Sequence, residues 1–116
     1  MQINKFGRII NFSTVAVPLS IEGEAVYASS KAAVNSLTKI LSKELATYGI
    51  TVNIIGPTPV ETDLIKSVPK DKINNIINMQ AIKRFGDFSD IVNVINFYIK
   101  EESNFITGQE IYLGGV

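Results

Sequence analysis

Gly49-Ile50-Thr51-Val52-Asn53-Ile54-Ile55-Gly56-Pro57 is the stretch that decides the fold. Ile50 to Ile55 is nearly continuous in apolar and β-branched side chains, the pattern of a strand buried on both faces. Gly49 before it suits the C-terminal cap of a helix. Gly56-Pro57-Thr58-Pro59 after it breaks the strand. Upstream, the spacing predicts a helix from Ala25 to Tyr48, with Val34, Leu37, Leu41 and Leu45 on one stripe at spacings of three and four. Before that lies a polar loop carrying Pro18, Ser20, Glu22 and Gly23. Gly7 to Ser13 is an earlier strand, opened by glycine and closed by hydroxyls. Downstream, Glu61 to Gln80 contains Pro69 and reads as a loop with one or two short helices. Ser89 reads as an N-cap for a helix from Asp90 to Glu101, with Ile91, Ile95 and Tyr98 on one face beside Val92 and Ile99. Thr107-Gly108 is a turn, and Glu110 to Leu113 a third strand. The order β-α-β-α-β predicts a parallel three-stranded α/β sheet.

Composition narrows the function. The chain has 116 residues, enough for one domain and too few for two. Hydrophobic residues make up 46% and charged residues 19%, which suits a packed core. Eleven basic and eleven acidic residues cancel, so no electrostatic case exists for nucleic-acid binding. Cys and His are absent, which excludes disulfides, a Cys/His zinc site, a thiol nucleophile and a Ser-His-Asp triad built from this chain. No apolar stretch approaches the ~20 residues of a membrane span, and the first ten residues lack a secretory apolar segment. The expectation is a soluble, cytoplasmic protein without a metal site.

In an open α/β sheet, chemistry sits beyond the carboxyl ends of the strands. Three segments reach that edge: Ser13-Thr14, Gly56 to Thr62, and the tail after Leu113. Tyr27 and Lys31 share a helix face four residues apart. Free tyrosine ionises near pH ~10, too high for efficient acid/base work at neutral pH, and an ammonium one turn away favours the phenolate. Taken alone, the pair also reads as an exposed helix face. Glu61 and Asp63 read as solvated loop charges rather than a catalytic pair. Phe85, Phe88, Phe97 and Phe105 read as core or interface, since no basic stripe accompanies them.

The motifs combine in one order: Gly7 to Thr14, Tyr27-Ala28-Ser29-Ser30-Lys31-Ala32-Ala33, Gly49-Ile50-Thr51-Val52-Asn53, Pro57 with Glu61-Thr62-Asp63, Arg84-Phe85-Gly86, and Ile106-Thr107-Gly108-Gln109. In this order and spacing the chain resembles the C-terminal half of a short-chain dehydrogenase/reductase, over essentially its full length. It looks most like the compact branch with 3-oxoacyl-acyl-carrier-protein reductases and sugar or alcohol dehydrogenases.

The resemblance implies an NAD- or NADP-dependent oxidoreductase. Hydride would pass between nicotinamide and a carbonyl or secondary alcohol, of 3-oxoacyl thioester or sugar type. Tyr27 would be the acid/base, and Lys31 its tuner and ribose ligand. The family places its substrate-orienting Ser thirteen residues before the Tyr, which lands on Thr14 here. Ser13 is the other candidate, one step away on the opposite strand face. Pro57, Thr58, Val60 and Thr62 match the segment that packs on the nicotinamide and its phosphates. Thr58 stands where the family usually has Gly, and Pro59 pushes it toward an extended conformation, so the loop is expected to run differently. The small Ala28, Ala32 and Ala33 read either as plain helix formers or as part of the dimer-forming helix of the family.

No Gly-x-Gly-x-x-Gly occurs in the chain. The expected domain is therefore residues 1–116 as one partial Rossmann-like unit, the C-terminal half of a doubly wound parallel sheet lacking the N-terminal dinucleotide-binding half, with Met1 a possible internal start. Ile9, Ile10 and Phe12 would then lie on an unpaired edge, and the isolated chain is expected to be marginal or to associate. Expected partners are a small-molecule substrate and a second copy of the chain, through the Tyr27 helix or the C-terminal strand. Two other readings remain open: a non-catalytic remnant acting as a docking module, and a sugar epimerase or dehydratase of the extended branch. The early end after Thr107-Gly108-Gln109 favours the compact branch over the latter.

Overall fold

A computed structural model describes the backbone of all 116 residues and every side chain except those of Asp63 and Leu64. Three strands, β1 (Gly7–Phe12), β2 (Ile50–Gly56) and β3 (Glu110–Tyr112), form one parallel sheet in the order β1-β2-β3. Gly7 pairs with Ile50 at one end and Gly56 with Tyr112 at the other. The continuous apolar run does what its pattern predicts: β2 is central and buried along its whole length.

Four helices complete the fold: α1 (Ala16–Leu19), α2 (Ala25–Glu44), α3 (Lys70–Met79) and α4 (Phe88–Ile99). Strand alternation puts α2 and α4 on opposite faces of the sheet. On the α4 face, Ile55, Val94 and Tyr98 form the core, with Ile10, Ile91, Ile95, Ile106, Ile111 and Leu113 packed around them. Tyr98 is fully buried and donates its hydroxyl to the Ile54 carbonyl at 2.8 Å.

The α2 face departs from expectation. Leu37 is 51% exposed, and the buried residues of α2 are Asn35, Thr38 and Ser42. The predicted Leu stripe therefore runs along the flank of the helix. Polar pairing explains the swap. Thr38 Oγ1 accepts from Asn11 Nδ2 at 2.9 Å, and Asn35 Nδ2 donates to the Tyr112 hydroxyl. The paired Thr38 hydroxyl and Asn35 Nδ2 carry little cost, although Asn35 Oδ1 has no partner among the described residues. The Tyr112 ring also crosses Gly56, where an added Cβ would fall 2.1 Å from Cδ1.

Several boundaries move. The long helix ends at Glu44 and tightens into a 3-10 turn, Ala46–Tyr48, and Gly49 closes that turn with φ 69°. This left-handed conformation is the one glycine adopts without strain. The Pro18 loop contains the short α1. The cap of α4 is Asp87 rather than Ser89. Asp87 and Asp90 each accept from the other's backbone N–H, a reciprocal box that Ser89 cannot make from inside the first turn. That helix ends at Ile99, before a 3-10 turn at Glu101–Ser103. Phe88, Phe97 and Phe105 are exposed, so of the two readings, core or interface, the core one does not hold for them. Val92 and Ile99 are exposed too. The loop after β2 carries a 3-10 turn, Asp63–Ser67, and then α3, as its weak patterning predicts.

Candidate active site

The carboxyl ends of β1 and β2 feed directly into one cleft. The first strand stops at Phe12, and the Ser13 N–H still bonds the Ile55 carbonyl at 2.8 Å. The chain then turns away through Thr14, whose Oγ1 accepts the Ala16 N–H at 3.2 Å and starts α1. That contact occupies a lone pair and leaves the Thr14 O–H able to donate. Opposite, β2 ends at Gly56 and releases Pro57 to Thr62. Between them opens a cleft of about 390 Å³ that gathers Thr14, Tyr27, Pro57, Thr58, Val60 and Thr62 among its walls. Six of the seven residues singled out from sequence therefore share one cavity.

Tyr27 sits in the first turn of α2 and is 48% exposed, so its ring borders the cleft from the rim. Lys31 is the seventh residue and is not in the cleft wall. One turn further along α2, its Nζ donates to the Phe12 carbonyl at 3.2 Å, which ties the helix to the end of β1. Two further N–H groups on that ammonium remain for other acceptors.

Ser13 and Thr14 both line the cleft, so the choice between them is not one of inside against outside. Ser13 is only 3% exposed, and its Oγ has no hydrogen-bond partner among the described residues. A buried hydroxyl without a partner carries a desolvation cost. Thr58 is buried, and its side chain is pressed between Gly86 and Gly114. A Cβ on Gly86 would meet Thr58 Oγ1 at 2.9 Å, and one on Gly114 would meet Cγ2 at 3.0 Å. Its φ is not left-handed, which fits the extended loop expected of threonine before proline. The loop is fastened by the Gly86 N–H on the Pro59 carbonyl at 2.9 Å and by a parallel bridge between Val60 and Gly86. Of the Glu61–Asp63 pair, Glu61 is exposed, and the Asp63 side chain lies outside the described residues.

Three residues in and behind the cleft wall escape sequence reasoning. Glu24, just before α2, forms an ion pair with Lys72 of α3, 48 residues away, and both line the cleft. No local spacing signals a contact at that separation. Gln80 is buried behind the Pro57–Val60 loop, and its Nε2 donates to the carbonyls of Ile82 and Arg84 at 2.9 and 3.1 Å. The Ala81 and Ile82 N–H groups hold Gly115 and Gly114, so the C-terminal tail braces this side.

A nicotinamide is a flat ring with one polar amide. The cleft offers apolar walls at Pro57, Pro59 and Val60, and hydroxyls at Ser13, Thr14 and Thr62. Its volume and the unpartnered Ser13 Oγ suit a ring with a single polar edge.

Known proteins resemble the chain over nearly its whole length. A family model described as Enoyl-(Acyl carrier protein) reductase matches residues 1–115. The 3-oxoacyl-acyl-carrier-protein reductase of Staphylococcus epidermidis is 35% identical over 109 residues, covering 94% of this chain and 45% of the relative. The acetoacetyl-CoA reductase of Cupriavidus necator is 34% identical over 110 residues, covering 95% and 45%. A crystal structure of NAD+-bound xylitol dehydrogenase superposes with a TM-score of 0.85 at 26% identity, covering 100% of this chain and 51% of that one. The chain thus spans about half the length of the relatives it matches. With the fold, the sequence relatives and the family model in agreement, the chain belongs to the short-chain dehydrogenase/reductase family.

Proposed function

We propose that this chain carries the proton-transfer and nicotinamide-facing part of an NAD(P)-dependent oxidoreductase acting on a carbonyl or secondary alcohol. The observation that carries the reading is the gathering of Thr14, Tyr27 and the Pro57–Thr62 segment around one cleft. When bound, the dinucleotide supplies or accepts a hydride at nicotinamide C4. Tyr27 is the group that gives a proton to the substrate oxygen in reduction and takes it back in oxidation. Thr14 orients that oxygen, because its lone pair is engaged by the Ala16 N–H and its proton is free to point outward. Lys31, fixed on the Phe12 carbonyl, places a positive charge one helical turn from Tyr27 and presents its remaining N–H groups to the ribose hydroxyls. Pro57, Val60 and Thr62 form the wall and polar edge for the nicotinamide. Thr58 contributes through the loop it braces rather than through its buried hydroxyl. The exposed flank of α2, with Val26, Leu37 and Ile40, is the surface through which a second copy would associate.

The test is oxidation of NADH and of NADPH by the purified chain with acetoacetyl-CoA, alongside titration with reduced nicotinamide mononucleotide. Tyr27→Phe is expected to lower turnover by about 10²-fold or more, with binding of the mononucleotide retained. Lys31→Ala is expected to weaken mononucleotide binding. Turnover that survives Tyr27→Phe, or a chain that binds no nicotinamide at all, would reject the reading.

A further inference from the structure

The ion pair between Glu24 and Lys72 stands where two cavities meet. Ile21, Lys72 and Ile76 line the cleft on one side and a second cavity of about 460 Å³ on the other. That outer cavity lies between the α1–α2 loop and α3, against Gly23 and Met79. The pair is therefore part of the partition between the two spaces. Among the described residues, Glu24 and Lys72 carry the only charges in the cleft wall, and no other side-chain hydrogen bond or ion pair joins α3 to the α1–α2 loop. The two partners are held differently. Lys72 belongs to the first turn of α3, where the Lys72 and Ile73 N–H groups bond the Pro69 carbonyl. Glu24 ends the loop of residues 20–24, in which Ser20 and Gly23 both have left-handed backbone, at φ 51° and 89°. A Cβ on Gly23 would meet nothing within 4 Å, so no neighbouring group packs against the loop there. The loop has room to swing once the carboxylate releases Lys72.

The geometry points to the Glu24–Lys72 pair as a gate. Closed, it separates the cleft from the outer cavity. Parted, it joins them and opens a second passage into the cleft beside α3. Both side chains are partly exposed, so salt screens their attraction, and the pair favours the closed state by about fivefold at most. That is enough to bias a loop and too little to lock it. The gate is independent of the oxidoreductase reading, because the side chains that divide the two cavities define it, whatever reacts inside.

The experiment records isoleucine methyl NMR spectra of the full chain with the neutral nitroxide TEMPOL, whose unpaired electron broadens the methyl groups it approaches. Ile73 is buried and lines the cleft but not the outer cavity. Its broadening is expected to rise about three- to fivefold in Glu24→Gln. It is expected to return to the starting value when Glu24→Lys is combined with Lys72→Glu. Sodium chloride at about 0.5 M is expected to raise it in the unaltered chain and to have no effect in Glu24→Gln. Ile54, fully buried in β2, is expected not to respond, which separates an opened gate from a loosened fold. Equal broadening of Ile73 with and without Glu24→Gln, a charge swap that fails to restore it, a salt response that persists in Glu24→Gln, or a parallel rise at Ile54 would each overturn the inference.

Discussion

Tyr98 shows how one side chain can join the two halves of the architecture. Its ring fills the core between α4 and the sheet, and its hydroxyl satisfies the Ile54 carbonyl at the centre of β2. Burial, helped by the nearby Glu110 carboxylate, pushes the phenol up to about 12. The folded state thus holds the proton more tightly than the unfolded chain, whose tyrosine titrates near ~10. The stability from this group is complete below about pH 10 and is lost as pH rises toward 12. Chemical denaturation between pH 9 and 12 is expected to show this loss (approximate limits), and Tyr98→Phe to remove the extra alkaline sensitivity. At neutral pH the same substitution removes this hydrogen bond, while the Ile54 carbonyl keeps its place in the β2–β3 ladder, and is expected to cost about 1 kcal/mol. The helical face bearing Tyr98 was legible from its period. That the hydroxyl would find a strand carbonyl 44 residues away was not.

Among the elements, α4 and α2 make opposite cases. The first is amphipathic in the ordinary sense, and its core face reads directly from Ile91, Ile95 and Tyr98. Its start was misread because a serine is a common cap, whereas the working cap is Asp87 paired reciprocally with Asp90. Arg84 bonds the Asp90 carboxylate at 3.0 Å, and this hydrogen bond holds Asp90 below the usual carboxylate range. Asp87→Ala is expected to lower the unfolding free energy by about 1 kcal/mol, measured by urea denaturation. Ser89→Ala is expected to leave it nearly unchanged. The period of α2 marked a helix correctly but not its buried side. Hydrophobic periodicity cannot report a face built from Asn35, Thr38 and Ser42, whose burial depends on partners in β1 and β3. The residues that gather at the cleft were legible for a different reason. They lie in short local motifs at strand ends and on one helical turn, each readable by itself although the motifs stand far apart in sequence. The Glu24–Lys72 pair belongs to no such motif.

The whole molecule measures 48 × 28 × 24 Å with a radius of gyration of 15.4 Å. A compact domain of this length has a radius of about 13 Å, so this chain is elongated for its size. Ile3, Val26, Phe88 and Phe105 are large apolar side chains that project into solvent, and Phe12 is exposed on β1, which lies at the sheet edge. Among the described residues no helix is long and apolar enough to cross a membrane. Such a surface favours association. Sedimentation velocity is expected to show a weight-average mass above 12.7 kDa that rises with concentration. Leu37→Glu with Ile40→Lys on α2 is expected to reduce that rise. A concentration-independent monomer with a sharp thermal transition would contradict it.

The sheet joins no two strands by a hairpin. Gly7 waits for Ile50, and Ile54 waits for Glu110, so every ladder closes only after a helix and its loops have been gathered in. The entropy of closing those long loops falls before any strand contact offsets it. In kinetic terms, α2 and α4 can gain helical structure early from local contacts, while the central β2 remains without neighbours until late. The segment most deeply enclosed in the finished molecule thus has no strand beside it until those loops close, and its run Ile50–Ile55 is bare apolar surface for as long as they stay open.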